Sequence, residues 1–445
     1  MTKGTEGKSP ASSRGPAVGR RALLKAGAAA GAVAATSAIP LVNVWGADSS
    51  TIKIGYIGAR SGWLANFNVP DSFVMNKVKA VYKDGLKIGG RNYTIDYVVK
   101  DNQSDNTVSS TVSNELVLRD RCDLILGDNG GAVMSIGPVA DARGVPALTT
   151  MSPWQPFVLG RGKMPGPSFK GFPFSFHIGF GVEDMLADYV AAWDGLATNK
   201  EFGSLWQDDP AGRAFGNAKI GVAAAAARAG YKEVPGGFFQ MSNNDFSNQM
   251  TKFKNAKVDI LVGYSSSEQM VVIVNQMAQQ RFAPKICTFA GAPLFPSAVE
   301  ALGDHGDGLT TEVWWTPAWP YHSPITGQSA KEFAAEWEST TGKQWTQPLG
   351  YTMGLWDAAI AALKNSGNPK DKKAVRDAIK GLEVETMTGK VDFKNTHIPS
   401  VAKTPMTCGQ WVLTKGGKYK YELLIVANKT SPEIPVQAKI KPFAA

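Results

Sequence analysis

Cysteine and histidine are scarce in this 445-residue sequence, and each scarcity excludes something. Three cysteines, Cys122, Cys287 and Cys408, permit at most one disulfide, which rules out a cross-linked scaffold, and no bridge essential to folding is expected. The four histidines, His177, His305, His322 and His397, stand far apart without metal-ligand spacing, so no metal is expected. A G-x-x-x-x-G-K phosphate loop, a G-x-G-x-x-G after the first strand and a G-x-S-x-G elbow are all missing. No cofactor and no specific catalysis are therefore predicted. The acidic pair Asp208-Asp209 reads as a turn cap ahead of a helix.

Long apolar runs are absent too. Residues 26–35 hold seven alanines, two glycines and one valine, too short and too weakly hydrophobic to cross a membrane. With Arg20-Arg21 in front and small residues behind, the run fits a twin-arginine export signal. Cleavage is expected after Ala38, Gly46 or Ala47. No cysteine follows for lipid attachment, so the mature protein is expected free in solution in the periplasm. Residues 1–47 also carry six Lys/Arg against one acid, which leaves 41 basic and 37 acidic residues beyond them. Little net charge remains, and no basic stripe interleaved with aromatics points to nucleic acid.

What is present is rhythm. Thr51–Gly58, Tyr93–Val99, Asp123–Gly127 and Val145–Thr150 read as strands, with helices at Asp71–Tyr82, Asn106–Leu118 and Val133–Arg143 between them. A second series follows: a helix at Met185–Leu196, a strand at Phe202–Gln207, one long helix over Arg213–Ala229, and strands at Val258–Tyr264 and Lys285–Phe289. Between those last strands Met270, Ile273, Val274 and Met277 share one helix face. Strands alternating with helices imply parallel crossovers, so the fold class is α/β, with two doubly wound parallel-sheet lobes. Extended segments at Phe174–Phe180 and Thr310–Trp315 are read as passing between the lobes.

Ligands of open α/β sheets bind at the C-terminal ends of strands. The loops there supply the candidate site: Arg60, Ser61 and Trp63 after the first strand, and Asn129, Gly130 and Gly131 after the third. Thr149, Thr150 and Trp154 follow the fourth. The second lobe adds Tyr264, Ser265 and Ser266, and Gly291 after a further strand. Backbone N–H groups at Gly130-Gly131 suit an anion at a helix start, and a guanidinium at Arg60 suits a carboxylate.

The order and spacing of several short pieces resemble one family. Ile52-Lys53-Ile54-Gly55, Gly89-Gly90-Arg91, Asp101-Asn102-Gln103-Ser104-Asp105 and Gly144-Val145-Pro146 are similar to the first lobe of the leucine/isoleucine/valine-binding proteins of ABC importers. Asp209-Pro210-Ala211-Gly212, Asp245-Phe246, Val258-Asp259, Trp356-Asp357-Ala358-Ala359 and Thr388-Gly389-Lys390-Val391-Asp392-Phe393 follow the same pattern. The resemblance implies the type I periplasmic-binding-protein fold, with three crossovers and lobes of discontinuous sequence. On that basis residues 48–178 and 316–385 form the first lobe, and 179–315 and 386–445 the second. It also implies a monomer that holds a small solute in its cleft and delivers it to a membrane permease.

Two departures bear on the solute. Where the family grips an α-carboxylate with a serine and a threonine, this chain has Gly130-Gly131 and Thr149-Thr150-Met151-Ser152-Pro153. Where it grips the ammonium with an acid, no Asp or Glu stands between Lys285 and Val299, and a buried ammonium without a partner is costly. Arg60 with Trp63, Trp154, Trp314 and Trp315 points instead to a small anionic solute, amino-acid-like or an aromatic carboxylate. The other classes are an exported hydrolase or oxidoreductase, which needs a nucleophile–base pair or cofactor loop, and a ligand-sensing receptor domain, which continues into a membrane segment.

Overall fold

The computed structural model describes residues 50–444; the expected export signal lies outside them. The first apolar runs build the strands β1 (Thr51–Gly58), β2 (Leu86–Ile88), β3 (Arg91–Asp101), β4 (Leu124–Asp128), β5 (Ala147–Thr150) and β6 (Ser175–Gly179). The second series gives β7 (Glu201–Gln207), β8 (Lys232–Phe239), β9 (Ile260–Ser265), β10 (Ile286–Gly291) and β11 (Leu309–Val313). A hairpin of β12 (Glu383–Thr386) and β13 (Gly389–Asp392) follows, then β14 (Val401–Lys403), β15 (Thr407–Leu413) and β16 (Tyr421–Ala427).

These strands form two seven-stranded sheets, ordered β14-β6-β5-β4-β1-β3-β2 and β16-β15-β11-β10-β9-β7-β8. The central strands of both are parallel, with antiparallel pairs only at β2–β3, β11–β15 and β15–β16. Each sheet reverses direction at its first strand, between β1 and β4 in one and between β7 and β9 in the other. The crevice outside such a reversal is where ligands of this architecture sit. The strands there are buried on both faces, as expected of parallel sheets covered by helices.

Three findings differ from the sequence reading. The long helix expected over Arg213–Ala229 is two, Pro210–Phe215 and Val222–Arg228. Asn217 breaks it: its Oδ1 accepts from the Lys219 and Ile220 amides, and its carbonyl accepts from Gly221, which caps the second piece. The strand β8 went unread because Pro235-Gly236-Gly237 interrupts its pattern; it survives as an edge strand with an irregular register against β7. Finally, the expected division at residue 386 gives Val401–Lys403 to the second lobe. Instead β14 pairs in parallel with β6 in the first sheet, and the chain crosses only at Thr404–Met406.

The long helix Gln347–Asn365 is buried along almost its whole length and centres the first core. Its Trp356 stacks on Tyr56 of β1, ring centroids 5.9 Å apart. The three cysteines are unpaired and buried.

Candidate functional site in the interlobe cleft

The loop after β1 is braced before it can bind anything. Asp101 accepts from the Arg60 amide (2.9 Å), the Ser61 hydroxyl (2.7 Å) and the Gln103 amide (2.8 Å). Ser61 is therefore engaged within its own loop. The Arg60 side chain is exposed, and no carboxylate pairs with it among the described residues. Trp63 is half exposed beside it.

After β4, Asn129 adopts a left-handed backbone (φ 138°) and caps the helix Gly130–Arg143, its Oδ1 accepting from the Ala132 amide at 3.2 Å. The same oxygen accepts from Asn102 (3.1 Å), and the Asn129 amide nitrogen donates to Asn68 (3.4 Å). A side chain at Gly131 would meet Asn106 and Ser109, so that glycine seats one helix start against another.

Thr149 and Thr150 face the neighbouring strand. Thr149 Oγ1 lies 3.2 Å from the Phe176 carbonyl and 2.9 Å from His177 Nδ1, and Thr150 Oγ1 donates to the Ile178 carbonyl at 2.8 Å. Both hydroxyls brace β5 to β6 rather than await a solute. Burial holds the His177 imidazole neutral, its pKa lowered to about 4. Thr149 and His177 form a hydroxyl–imidazole contact, but both are wholly buried between strands, where no substrate can reach them.

Trp154 also has a fixed task. Its indole donates to both Glu183 oxygens (3.0 and 3.2 Å), which further accept from Gln155 (2.6 Å) and Lys403 (2.8 Å); Lys403 reaches Asp184 as well. Lys403 thus ties the end of β14 to the helix start after β6, and Trp154 and Gln155 hold that same helix start to the segment after β5.

In the second lobe Gly291 and Ser265 are partners across β10 and β9. Gly291 has φ 83°, and a Cβ there would come 2.9 Å from the Tyr264 ring, so glycine is required for that close approach. Ser266 caps the helix Ser267–Gln279, and its amide donates to Gln207 at 2.9 Å. The Ser265 hydroxyl is buried and without a partner.

Two acids stand here: Asp209, which the sequence placed only as a cap, and Glu312, which it did not place. Asp209 accepts from Gly212 N (2.8 Å) and Gln207 Nε2 (2.7 Å). It is a helix cap, as read, but it also borders the reversal between β7 and β9. Glu312 on β11 accepts from Gly291 N (3.0 Å), the Tyr189 hydroxyl (2.6 Å) and the Thr311 hydroxyl (3.0 Å). An acid thus does stand beside Gly291, supplied by the adjacent strand rather than by the loop. Burial raises the pKa of both acids, against the pull of their donors. A lone Glu in the fully buried run Leu309–Val313 was the signal that could have found it.

The lobes touch through aromatics. Phe67, in the loop after β1, meets Phe295 of the second lobe edge-on at 5.0 Å and stacks on Trp314 of the crossing after β11 at 6.2 Å. Trp314 also contacts Phe180 (5.7 Å) and Tyr351 (5.0 Å), while Trp315 packs inward against Gly350 and Trp345. The Trp314 indole N–H is buried without a partner, as are Asp71 Oδ1 in the first lobe and Ser265 Oγ in the second. Among the described residues no group of three or more His, Cys, Asp or Glu could hold a metal, and no helix is long and apolar enough to cross a membrane.

Residues 51–418 match the family model described as periplasmic binding protein. Among solved structures, an ABC-transporter solute-binding protein from R. palustris in complex with 4-hydroxybenzoate has a TM-score of 0.67 at 16% identity, covering 86% of this chain and 99% of that one. One from Rhodopseudomonas palustris BisB5 in complex with 3,4-dihydroxybenzoic acid gives 0.64 at 18%, covering 86% and 99%. A branched-chain amino acid transporter substrate-binding protein from Streptococcus pneumoniae, in complex with isoleucine, gives 0.62 at 19%, covering 84% and 99%. At these identities the likeness is one of fold.

Proposed function

Because the chain belongs to the periplasmic binding protein family, we propose that it is the extracytoplasmic solute-binding protein of an ABC importer. The family is made of solute-binding proteins rather than enzymes. In this reading an exported monomer captures a small anionic solute between its lobes, an aromatic carboxylate first of all, and delivers it to a membrane permease. One observation carries the choice: Arg60 presents an unpaired guanidinium beside Trp63 at the reversal of the first sheet, a charged fork next to a flat apolar surface. The two neighbours that hold hydroxylated benzoates support it.

The placement of Glu312 beside Gly291 favours a second reading, an α-amino acid whose ammonium is held there. Against it, both carboxylate oxygens of Glu312 already have donors. Thermal melting with 4-hydroxybenzoate and with isoleucine separates the two. A ligand that binds only the native state raises the melting temperature, adding RT ln(1 + L/Kd) of stability at free ligand concentration L. We expect the shift from 4-hydroxybenzoate. A shift from isoleucine alone selects the second reading, and a shift from neither removes both.

A further inference from the structure

Beneath the candidate site, at the reversal between β1 and β4, lie two carboxyls with too few partners. Asn68 donates its two amide hydrogens to Asp71 Oδ2 (2.8 Å) and Asp128 Oδ1 (2.6 Å), and Tyr56 donates its hydroxyl to Asp128 Oδ2. The Asn68 carbonyl oxygen accepts from the Ala59 amide (2.5 Å) and from Asn129, which fixes the amide so that its NH2 faces the acids. Three hydrogens thus serve four oxygens, and Asp71 Oδ1 is left without a donor. Asp71 is 4% exposed and Asp128 wholly buried.

The elements around the pair bring no counter-ion against it. Arg60 is the cation whose charge reaches Asp71, and weakly. Further along the Asp71 helix, Lys77 pairs with Glu336 of the helix Ala330–Thr341. Asp357, on the packed helix Gln347–Asn365, accepts from Ser323 and Met387. Two carboxylates sharing a dry site cannot both ionise, so the pair keeps a proton where ordinary carboxyls have lost theirs.

We propose that solute capture is coupled to this pair: the anion binds best when Asp71 and Asp128 carry their protons, and its arrival draws a proton in. The inference rests on the anionic-solute reading given above. Its physical basis is proximity, since Asp128 is joined directly to the Asn129 cap and Asp71 lies within the field of Arg60. An anion held there adds a further negative charge to a pair that already resists ionisation. Burial pushes Asp71 up to about 7, and burial followed by the charge of its neighbour raises Asp128 well above the usual carboxylate range. The direction follows. Affinity is greatest below neutrality, weakens as pH rises through the free protein's pKa, and levels off once the bound form has lost the proton too.

The test is calorimetric titration of the full-length protein with 4-hydroxybenzoate, in two buffers of different protonation enthalpy. Between about pH 6 and about pH 8.5 we expect Kd to weaken about tenfold, the size of one added charge repulsion at roughly 10 Å, with net proton uptake near neutrality. Asp71→Asn and Asp128→Asn, near in shape but uncharged, should bind with a flat pH profile and no uptake. A flat profile in the wild type overturns the proposal. Infrared spectra of the free protein provide a second, solute-independent reading. The wild-type-minus-variant difference at pH 7 should contain the carbonyl stretch of a protonated carboxyl, which deuteration shifts. Its absence overturns the coupling even if 4-hydroxybenzoate binds. Failure of 4-hydroxybenzoate to bind, with the band present, counts instead against the choice of solute.

Discussion

At the reversal of the first sheet, Asp71 and Asp128 share three donor hydrogens; at the corresponding end of the second, Asp209 has two donors of its own and Glu312 three. Six strands of each sheet follow one order, and both lobes bring acids to the reversal, yet they settle the charge differently. In the second lobe each acid is surrounded by its own N–H and O–H groups, so its charge orders the loops around it. In the first, the acids compete, and the proton becomes the missing partner. Equivalent topology therefore fixes where polar groups gather without fixing whether they serve as struts or as a titrating element.

The largest expected effect removes a strut. Glu312→Leu strips a buried acceptor from Gly291, Tyr189 and Thr311 and should cost about 4 kcal/mol in urea unfolding. Glu312→Gln should recover much of that loss. Equal, small losses for both variants would mean that the second lobe does not depend on this acid.

Next comes acid stability. His177 is neutral when folded, with its pKa lowered to about 4 by burial. The unfolded chain binds the proton first, so stability falls as pH drops from about 6.5 toward 4, by up to about 3 kcal/mol. The Asp71 pair works in the opposite sense. Its folded pKa is raised, so its contribution is fully present below the unfolded value of about 4 and is lost as pH rises through about 7. Unfolding free energies across pH should show both limbs in the wild type. His177→Gln should flatten the acid limb alone, and Asp71→Asn should shrink the neutral one, which Asp357, also raised by burial to about 7, shares.

A smaller effect concerns affinity. Arg60→Ala should weaken 4-hydroxybenzoate binding by about 2 kcal/mol, roughly 30-fold, while leaving unfolding unchanged, because the guanidinium packs against nothing it must hold. Arg60→Lys should restore only part, since an ammonium lacks the fork. Equal affinity for all three proteins would move the anion to the helix start at Gly130-Gly131.

The smallest effect tests the contact between lobes. Phe67→Ala removes one edge-on and one stacked pair, worth about 1 kcal/mol in excess of buried area. The free variant should scatter X-rays as a more open molecule and release solute faster. Unchanged scattering and release would show that closure depends on contacts elsewhere.

How much of this was legible depends on what a residue's partner was. Strands such as β1 and β4 announce themselves, because a buried parallel strand must be apolar along its length. The gathering of Arg60, Asn129 and Tyr264 at strand ends followed from topology alone. What sequence could not supply was the neighbour across the sheet. Thr149 and Thr150 look like ligand hydroxyls until β6 is seen to accept from them, and Trp154 looks like a cleft wall until Glu183 accepts its N–H. Glu312 was missed for the same reason in reverse: the acid beside Gly291 comes from a strand whose own sequence lies some twenty residues on. Phe67 lies in an irregular loop with no period to betray it.

The bracket of Trp154, Gln155, Glu183, Asp184 and Lys403 has a mechanical consequence. Three strands running between two bodies normally permit swinging, twisting and sliding. Here two of the three are fastened to each other by the ion pairs of Lys403 with Glu183 and Asp184, so they act as one wide leaf of a door hinge. Relative twist is resisted, and swinging remains the easy motion. A solute arriving at the open mouth then meets surfaces already aligned for each other, and its binding has fewer misdirected arrangements to eliminate.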